Sequence, residues 1–293
     1  MHPLDASHST LHPSVFNPLE LEGMSLEDAQ ALHDYISSLT LAQLAAAIKA
    51  KELGVRLQPI VTLVDKQVVG FEALVRWKHP IYGLLRPAFF LKRLIRVGLS
   101  SEVTRYMIQR AARFQFNAIK EGVRWVPISV NVSGPEFNDK LIVIVKDAIE
   151  KHQLPAGALS IEMTESEQIL DKSSAQIAVK RLKHMGVNVY SDDFGHAYAS
   201  LRNLLDFPFS GIKLDRSFTT AMAVNPMAAT LIHQVLEMCL AMNLTLTVEG
   251  IENEAQAAEL KILGVTHGQG YLYNKPMQRI EAFKLLKASQ IIE

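Results

Sequence analysis

The chain is predicted to be an α/β protein, a modified (β/α)8 barrel of the TIM type with an antiparallel first strand. Three observations carry this. Eight strand-like runs lie near 55–64, 68–75, 126–132, 159–163, 187–191, 211–214, 244–248 and 269–273. Between them fall helical spacings near 88–97, 102–119, 140–151, 167–184, 227–242 and 254–263, and eight such strands over about 220 residues match the size of a (β/α)8 barrel. The first two runs are joined only by Asp65-Lys66-Gln67, too few residues for a crossover helix, so that pair is expected to be an antiparallel hairpin. Finally, at least six of the runs end in an acidic, amide or basic residue.

Ahead of the barrel, residues 1–24 hold three prolines and three histidines with no period, and a flexible arm is expected there. From Ser25, a plausible N-cap, the apolar residues Leu32, Tyr35, Ile36, Leu39, Leu44 and Ile48 predict one or two amphipathic helices over 25–53. The barrel domain then takes 54–293. Near its end, Asn253 with Gln256 has the spacing of a capping box.

Composition narrows the class. Hydrophobic residues make up 48% and charged residues 20% of 293 positions, which is globular. Thirty basic and thirty acidic side chains give a net charge of +0, so bulk electrostatics do not favour a nucleic-acid polymer or a membrane surface as partner. The balance is uneven: no Lys or Arg precedes Lys49, the first 48 residues carry −6, and the remainder carries +6, a bias suited to an anionic ligand. The single cysteine, Cys239, lies among Leu231, Val235, Met238 and Met242 and reads as a core thiol. The apolar stretch 227–248 is broken by His233, Gln234, Glu237 and Asn243, which makes it a helix followed by a strand rather than a bilayer span. The N-terminus has no secretory-signal pattern. A cytoplasmic setting is expected.

Side chains alternate along a strand, so Glu72, Leu74 and Arg76 share one face, as do Ser129, Asn131 and Ser133, and Lys213 and Asp215. At the carboxyl ends of barrel strands Glu72, Asn131, Glu162, Asp192, Lys213 and Glu249 would converge. So many acids in one mouth repel one another unless cations intervene. The donors are all oxygen, with no Cys or His, which favours Mg²⁺ or Mn²⁺ over Zn²⁺. The neighbours Asp192 and Asp193 could serve two ions about 3.5–4 Å apart, with Lys213 neutralising a phosphoryl group or positioning water. Each residue alone also reads as a solvated acid or a turn residue; recurrence at the same strand end favours a metal-dependent barrel enzyme, with an enolase-like enzyme as the competing reading.

More specific segments are present. They run Gln58-Pro59-Ile60-Val61, then Glu72-Ala73-Leu74-Val75-Arg76-Trp77 followed by His79-Pro80, then Ser129-Val130-Asn131-Val132-Ser133 and Ile161-Glu162-Met163-Thr164-Glu165. Asp192-Asp193-Phe194-Gly195, Lys213-Leu214-Asp215-Arg216, Val248-Glu249-Gly250-Ile251-Glu252 and Gln269-Gly270-Tyr271-Leu272 follow. In this order and spacing, from about Gly54 to about Met277, they resemble the EAL domains that hydrolyse cyclic di-GMP. The resemblance implies opening of one phosphodiester to linear pGpG, with two Mg²⁺ or Mn²⁺ ions required. It implies Glu72, Asn131, Glu162 and Asp192 as ligands of one metal and Asp192, Asp193 and Glu249 as the second site. The catalytic set it implies is Glu72, Lys213 and Glu249, the last two orienting the attacking water. Gln58, Leu74, Arg76, Asp215, Glu252 and Gln269 are implied in substrate binding, Glu252 also supporting the site, and Glu165 in bracing the loop after the fifth barrel strand. A homodimer is the family expectation.

The chain also departs from the family pattern. After Gly195 it reads His196-Ala197-Tyr198-Ala199-Ser200-Leu201, where the family usually has Thr-Gly-Tyr-Ser-Ser-Leu, in a loop that couples the metal site to the dimer interface in relatives. Leu57, Ile95 and Thr266 also differ from common family residues, but no implied metal ligand is lost. An alternative reading is a catalytically silent EAL domain that serves as a cyclic di-GMP receptor or protein-interaction module.

Overall fold

The computed structural model describes residues 24–164, 169, 171–195 and 201–289. Residues 1–23 of the expected arm, Glu165 and the loop at His196 lie outside the described residues. In chain order the first half holds α1 (Leu26–Ser38), α2 (Leu41–Lys49), β1 (Leu53–Thr62), β2 (Val68–His79), β3 (Gly83–Leu85), α3 (Pro87–Arg96), α4 (Ser100–Lys120), β4 (Ile128–Ser133) and α5 (Asp139–His152). There follow β5 (Leu159–Thr164), α6 (Lys172–His184), β6 (Asn188–Phe194), α7 (Leu201–Asp206), β7 (Gly211–Leu214), α8 (Arg216–Met222), α9 (Pro226–Ala241), β8 (Thr245–Val248), α10 (Glu254–Ile262), β9 (His267–Gly268) and α11 (Arg279–Ser289).

Two compact units result, one from the chain up to Gly54 with Val75–Ser100, the other from Val55–Leu74 and the chain from Ser101 onward. In the first, α1 packs on α3, and Arg93 donates to the Leu39 carbonyl at 3.1 and 2.7 Å. Trp77 Nε1 donates to Glu52 at 2.8 Å, while the rings of Tyr35, Trp77, Tyr82 and Phe90 surround or adjoin buried His79 in one aromatic cluster. Ser25 caps α1 as expected, accepting from the Asp28 amide at 3.1 Å.

The second unit is the barrel. The sheet runs β1-β9-β8-β7-β6-β5-β4-β2-β3, and pairing of β1 with β2 closes its first eight strands. β2 and β4 to β9 are parallel, and β1 runs against them, antiparallel to β9. The hairpin turns on Lys66 at φ 58, with the Thr62 amide donating to the Gln67 carbonyl at 2.9 Å. The expected capping box opens α10: Gln256 N donates to Asn253 Oδ1 at 3.0 Å and Asn253 N to Gln256 Oε1 at 3.2 Å. Cys239 is buried on α9, where burial pushes its thiol up to about 11.

Differences from the sequence expectation are local. The last strand is only His267–Gly268 rather than 269–273, because the chain leaves the sheet at Gly270 and turns over 271–273. β2 runs on to His79 and pairs with the short β3, which carries no run long enough to be seen beforehand. Helices α7 and α8 are six and seven residues long, and α11 buries only Ala282 and Leu286, so none presents a clear apolar stripe. The start of α6 is Lys172, capped by Asp171, rather than 167.

One buried amide ties helix to barrel. Gln115 on α4 is fully buried and donates from Nε2 to the carbonyls of Val126 and Ala158, both at 2.6 Å, just ahead of β4 and β5. Gln115→Leu is expected to lower stability by about 1–3 kcal/mol, measured by urea unfolding, since the Val126 carbonyl loses this donor inside the protein.

Candidate active site

The strands place their inward charges in one layer at the barrel mouth. Lys213, on β7 and 2% exposed, is the hub. Its Nζ lies 3.1 Å from Glu72 Oε2, 3.0 Å from Glu162 Oε2, 3.3 Å from Asp192 Oδ1 and 2.5 Å from Glu249 Oε1. Glu72 is held further by Asn131 Nδ2 at 2.6 Å and by Gln269 Nε2 at 2.8 Å. Residues from β2, β4, β5, β6 and β7, with two just beyond β8 and β9, therefore meet around one ammonium.

Asp193 joins by a backbone device. Strict alternation would turn it away from Asp192. The β6–β7 register slips between Ser191 and Phe194, and Asp193 adopts φ 50. Such a bulge re-aims a side chain, and Asp tolerates the left-handed region better than most residues. Gly195 follows at φ 95, where a Cβ would come 2.3 Å from the Phe218 ring, so only glycine fits. Donor oxygens of Asp192, Asp193 and Glu249 consequently lie within 4.8 Å of one another, a group that could hold a metal ion.

Electrostatics follow from one cation among five acids. For Lys213 burial works against the charge, but Asp192, Glu162, Glu249 and Glu72 outweigh it and keep the ammonium charged. Burial also pushes Glu72 up, yet Lys213 and the bonds from Gln269 and Asn131 hold its carboxyl below the ordinary range. Glu162 goes the other way, well above its usual value, through burial and then Glu72 and Asp192, against Lys213. Asp192 is raised mainly by burial. Burial and then Asp192 lift Asp193 to about 7, while Glu249, lifted first by burial and then by Asp192 and Glu72, reaches about 8. Asp193 stands at the exposed rim, where water screens such a shift, so Glu249 carries more of the pH dependence than Asp193 does.

A carboxyl raised on folding binds more protons folded than unfolded between its two pKa values, so stability falls as pH rises through that window. For Glu249 the window runs from 4.5 to about 8. The metal-free protein is expected to lose thermal stability over this range, and added Mg²⁺ or Mn²⁺ to flatten the decline, as read by melting curves with and without chelator.

The other implied residues sit differently. Gln58 is buried on β1 and donates to the Asn274 carbonyl at 3.3 Å. Arg76 is buried, with Nη1 donating to the Val75 carbonyl at 2.8 Å. Asp215 caps α8 through the Ser217 amide at 2.9 Å, Leu74 is half-buried on β2, and Glu252 is exposed with its amide donating to Gln256 at 2.8 Å. Ser129, not among the implied residues, is buried in the same layer and donates from Oγ to the Phe71 carbonyl at 3.4 Å; its position two before Asn131 was the available signal.

The residue set fits a divalent cation. The donors are hard oxygens, and Asn131 Oδ1 is buried without a hydrogen-bond partner among the described residues. Fold and mouth together define a TIM-type barrel whose acidic mouth could hold a metal ion. Residues 41–276 match the model of the EAL domain, and the chain belongs to that family. MucR of Pseudomonas aeruginosa, a bifunctional diguanylate cyclase/cyclic di-GMP phosphodiesterase, is 32% identical over 252 residues, covering 86% of this chain and 36% of MucR. PdeB of Escherichia coli, a probable cyclic di-GMP phosphodiesterase, is 32% identical over 241 residues, covering 81% and 45% respectively. The chain thus spans less than half the length of either relative. A solved complex of the MucR phosphodiesterase with c-di-GMP matches at TM-score 0.77 and 32% identity, over 83% of this chain and 98% of that one.

Proposed function

We propose that this chain hydrolyses cyclic di-GMP to linear pGpG, with two Mg²⁺ or Mn²⁺ ions held by Glu72, Asn131, Glu162, Asp192, Asp193 and Glu249. The observation that carries the reading is the meeting of this EAL-family oxygen set around Lys213. Five carboxylates and one ammonium leave four negative charges when all are ionised, which two divalent ions balance. Bound there, such ions lower the pKa of water and offset charge building on the phosphate.

The chain's own groups supply the rest. Lys213, charged and beside Glu249, orients the attacking water together with that carboxylate. The water oxygen joins phosphorus, the bond to the leaving sugar oxygen breaks, and that oxygen takes the proton. Gln269 and Asn131 keep Glu72 ionised and fixed in direction by their hydrogen bonds. Gln58, Leu74, Arg76, Asp215, Glu252 and Gln269 are assigned to substrate, and Glu165 to bracing the neighbouring loop. Homodimerisation, which rests on the family resemblance, and a cytoplasmic setting, which rests on the lack of a secretory-signal pattern or bilayer span in the sequence, belong to the same reading. Among the described residues, no helix is long and apolar enough to cross a membrane.

A silent receptor would have no use for the complete ligand set this chain keeps, because a bare acidic cluster costs stability. The test is incubation of the chain with cyclic di-GMP and Mn²⁺ or Mg²⁺, followed by chromatography. Conversion to pGpG, lost in Glu72→Ala, is expected; intact nucleotide after long incubation with either metal contradicts the reading.

A further inference from the structure

Beneath the acidic mouth the barrel sets hydroxyl residues and glycines among Ile60, Val69, Phe71 and Pro127, where barrels are ordinarily filled with Val, Ile and Leu alone. Two positions before each mouth residue, on the same inward face, stand Gly70 under Glu72, Ser129 under Asn131, Ser160 under Glu162, Tyr190 under Asp192, Gly211 under Lys213 and Thr247 under Glu249. Gly211 is obligatory: a Cβ there would come 2.4 Å from the Thr245 carbonyl and 3.0 Å from the Tyr190 ring. Between these side chains lies a cavity of about 100 Å³. A buried water needs about 10–15 Å³ and two to four polar partners, so several fit.

The lining gives the cavity a direction. At one end are Glu162 and Lys213, 1% and 2% exposed. At the other are Thr245, exposed at the start of β8, and half-buried His267 at the start of β9, opposite the mouth. Midway, Ser160 is 1% exposed and its Oγ has no hydrogen-bond partner among the described residues. Val69 and Pro127 line both this cavity and a wider cleft of about 510 Å³.

We infer that the barrel floor is a water conduit: a string of waters bonded to Ser129, Ser160 and Thr247 connects Lys213 and Glu162 with solvent at the end opposite the mouth. Resting on the proposed hydrolysis, the conduit refills the site with the water each turnover consumes while nucleotide occupies the mouth.

Two variants close it at different depths. Thr245→Trp blocks the exposed rim without touching the mouth, and Ser160→Leu fills the middle; Ser160→Ala removes the hydroxyl but leaves the space. Expected are a fall of about tenfold in kcat for both blocking variants, KM and Mn²⁺ affinity by calorimetry within twofold of the parent, and less than a threefold change for Ser160→Ala. A crystal structure of the parent at high resolution is expected to hold ordered waters from Ser160 to Thr245. Parental kcat in Thr245→Trp, or a floor without waters, overturns the conduit. Should the parent cleave no nucleotide, the hydrolysis reading fails while the crystallographic arm still decides whether the conduit exists.

Discussion

Lys213→Met is expected to produce the largest effect of any single substitution, a loss of about 10³-fold in kcat together with marked destabilisation of the metal-free protein. The lysine is buried, and its ammonium lies within 3.3 Å of four carboxylates. Removing one partner of a buried ion pair strands charge and costs about 3–5 kcal/mol. Loss of a preorganised charge in the site removes about 10²–10³ in rate. Because divalent cations can take over part of the neutralisation, saturating Mn²⁺ is expected to restore much of the stability and little of the rate. Urea unfolding with and without metal, beside the nucleotide assay, separates the two. A variant equal to the parent in both respects contradicts the role of Lys213 as hub.

Glu162→Gln is expected to move stability and activity in opposite directions. Glu162 is 1% exposed, and burial, then Glu72 and Asp192, push its carboxyl well above the usual range. Such a group destabilises the fold once pH exceeds its unfolded value, near 4.5. The neutral amide keeps an acceptor for Lys213 and removes that burden, so at pH near 8 the metal-free variant is expected to be more stable by on the order of 1–3 kcal/mol. Losing one proposed ligand oxygen is expected to reduce turnover by about 100-fold or more, since small misplacements at a reacting centre cost that much. A melting temperature below the parent's, or unchanged turnover, runs against this account.

The barrel was legible because its physics is periodic. Three residues between the first two runs admit only a hairpin, and the recurrence of Glu72, Asn131, Glu162, Asp192, Lys213 and Glu249 at strand ends, read with the rule that a barrel's carboxyl end holds its site, brought together the residues that the structure gathers. Elements that depend on tertiary context escaped. β9 is two residues and has no apolar run; α7 and α8 are short helices of six and seven residues in connections. Alternation also misdirects Asp193, because nothing local announces the register slip and left-handed φ that bring it beside Asp192. How Lys213 distributes itself among four acids likewise belongs to packing. The hydroxyl residues of the floor, by contrast, lie two positions before mouth residues, at Ser129, Ser160, Tyr190 and Thr247, but a cavity between them depends on how the strands close into a barrel.

The central claim is that six oxygen-donor residues, from β2, β4, β5, β6 and the end of β8, share a pair of divalent cations. Crystals soaked in Mn²⁺ and measured for anomalous scattering test it most directly. Two peaks per chain are predicted, both contacted by Asp192, one also by Glu72, Asn131 and Glu162, the other by Asp193 and Glu249. No peak at the barrel mouth, or manganese bound only elsewhere, would contradict the account.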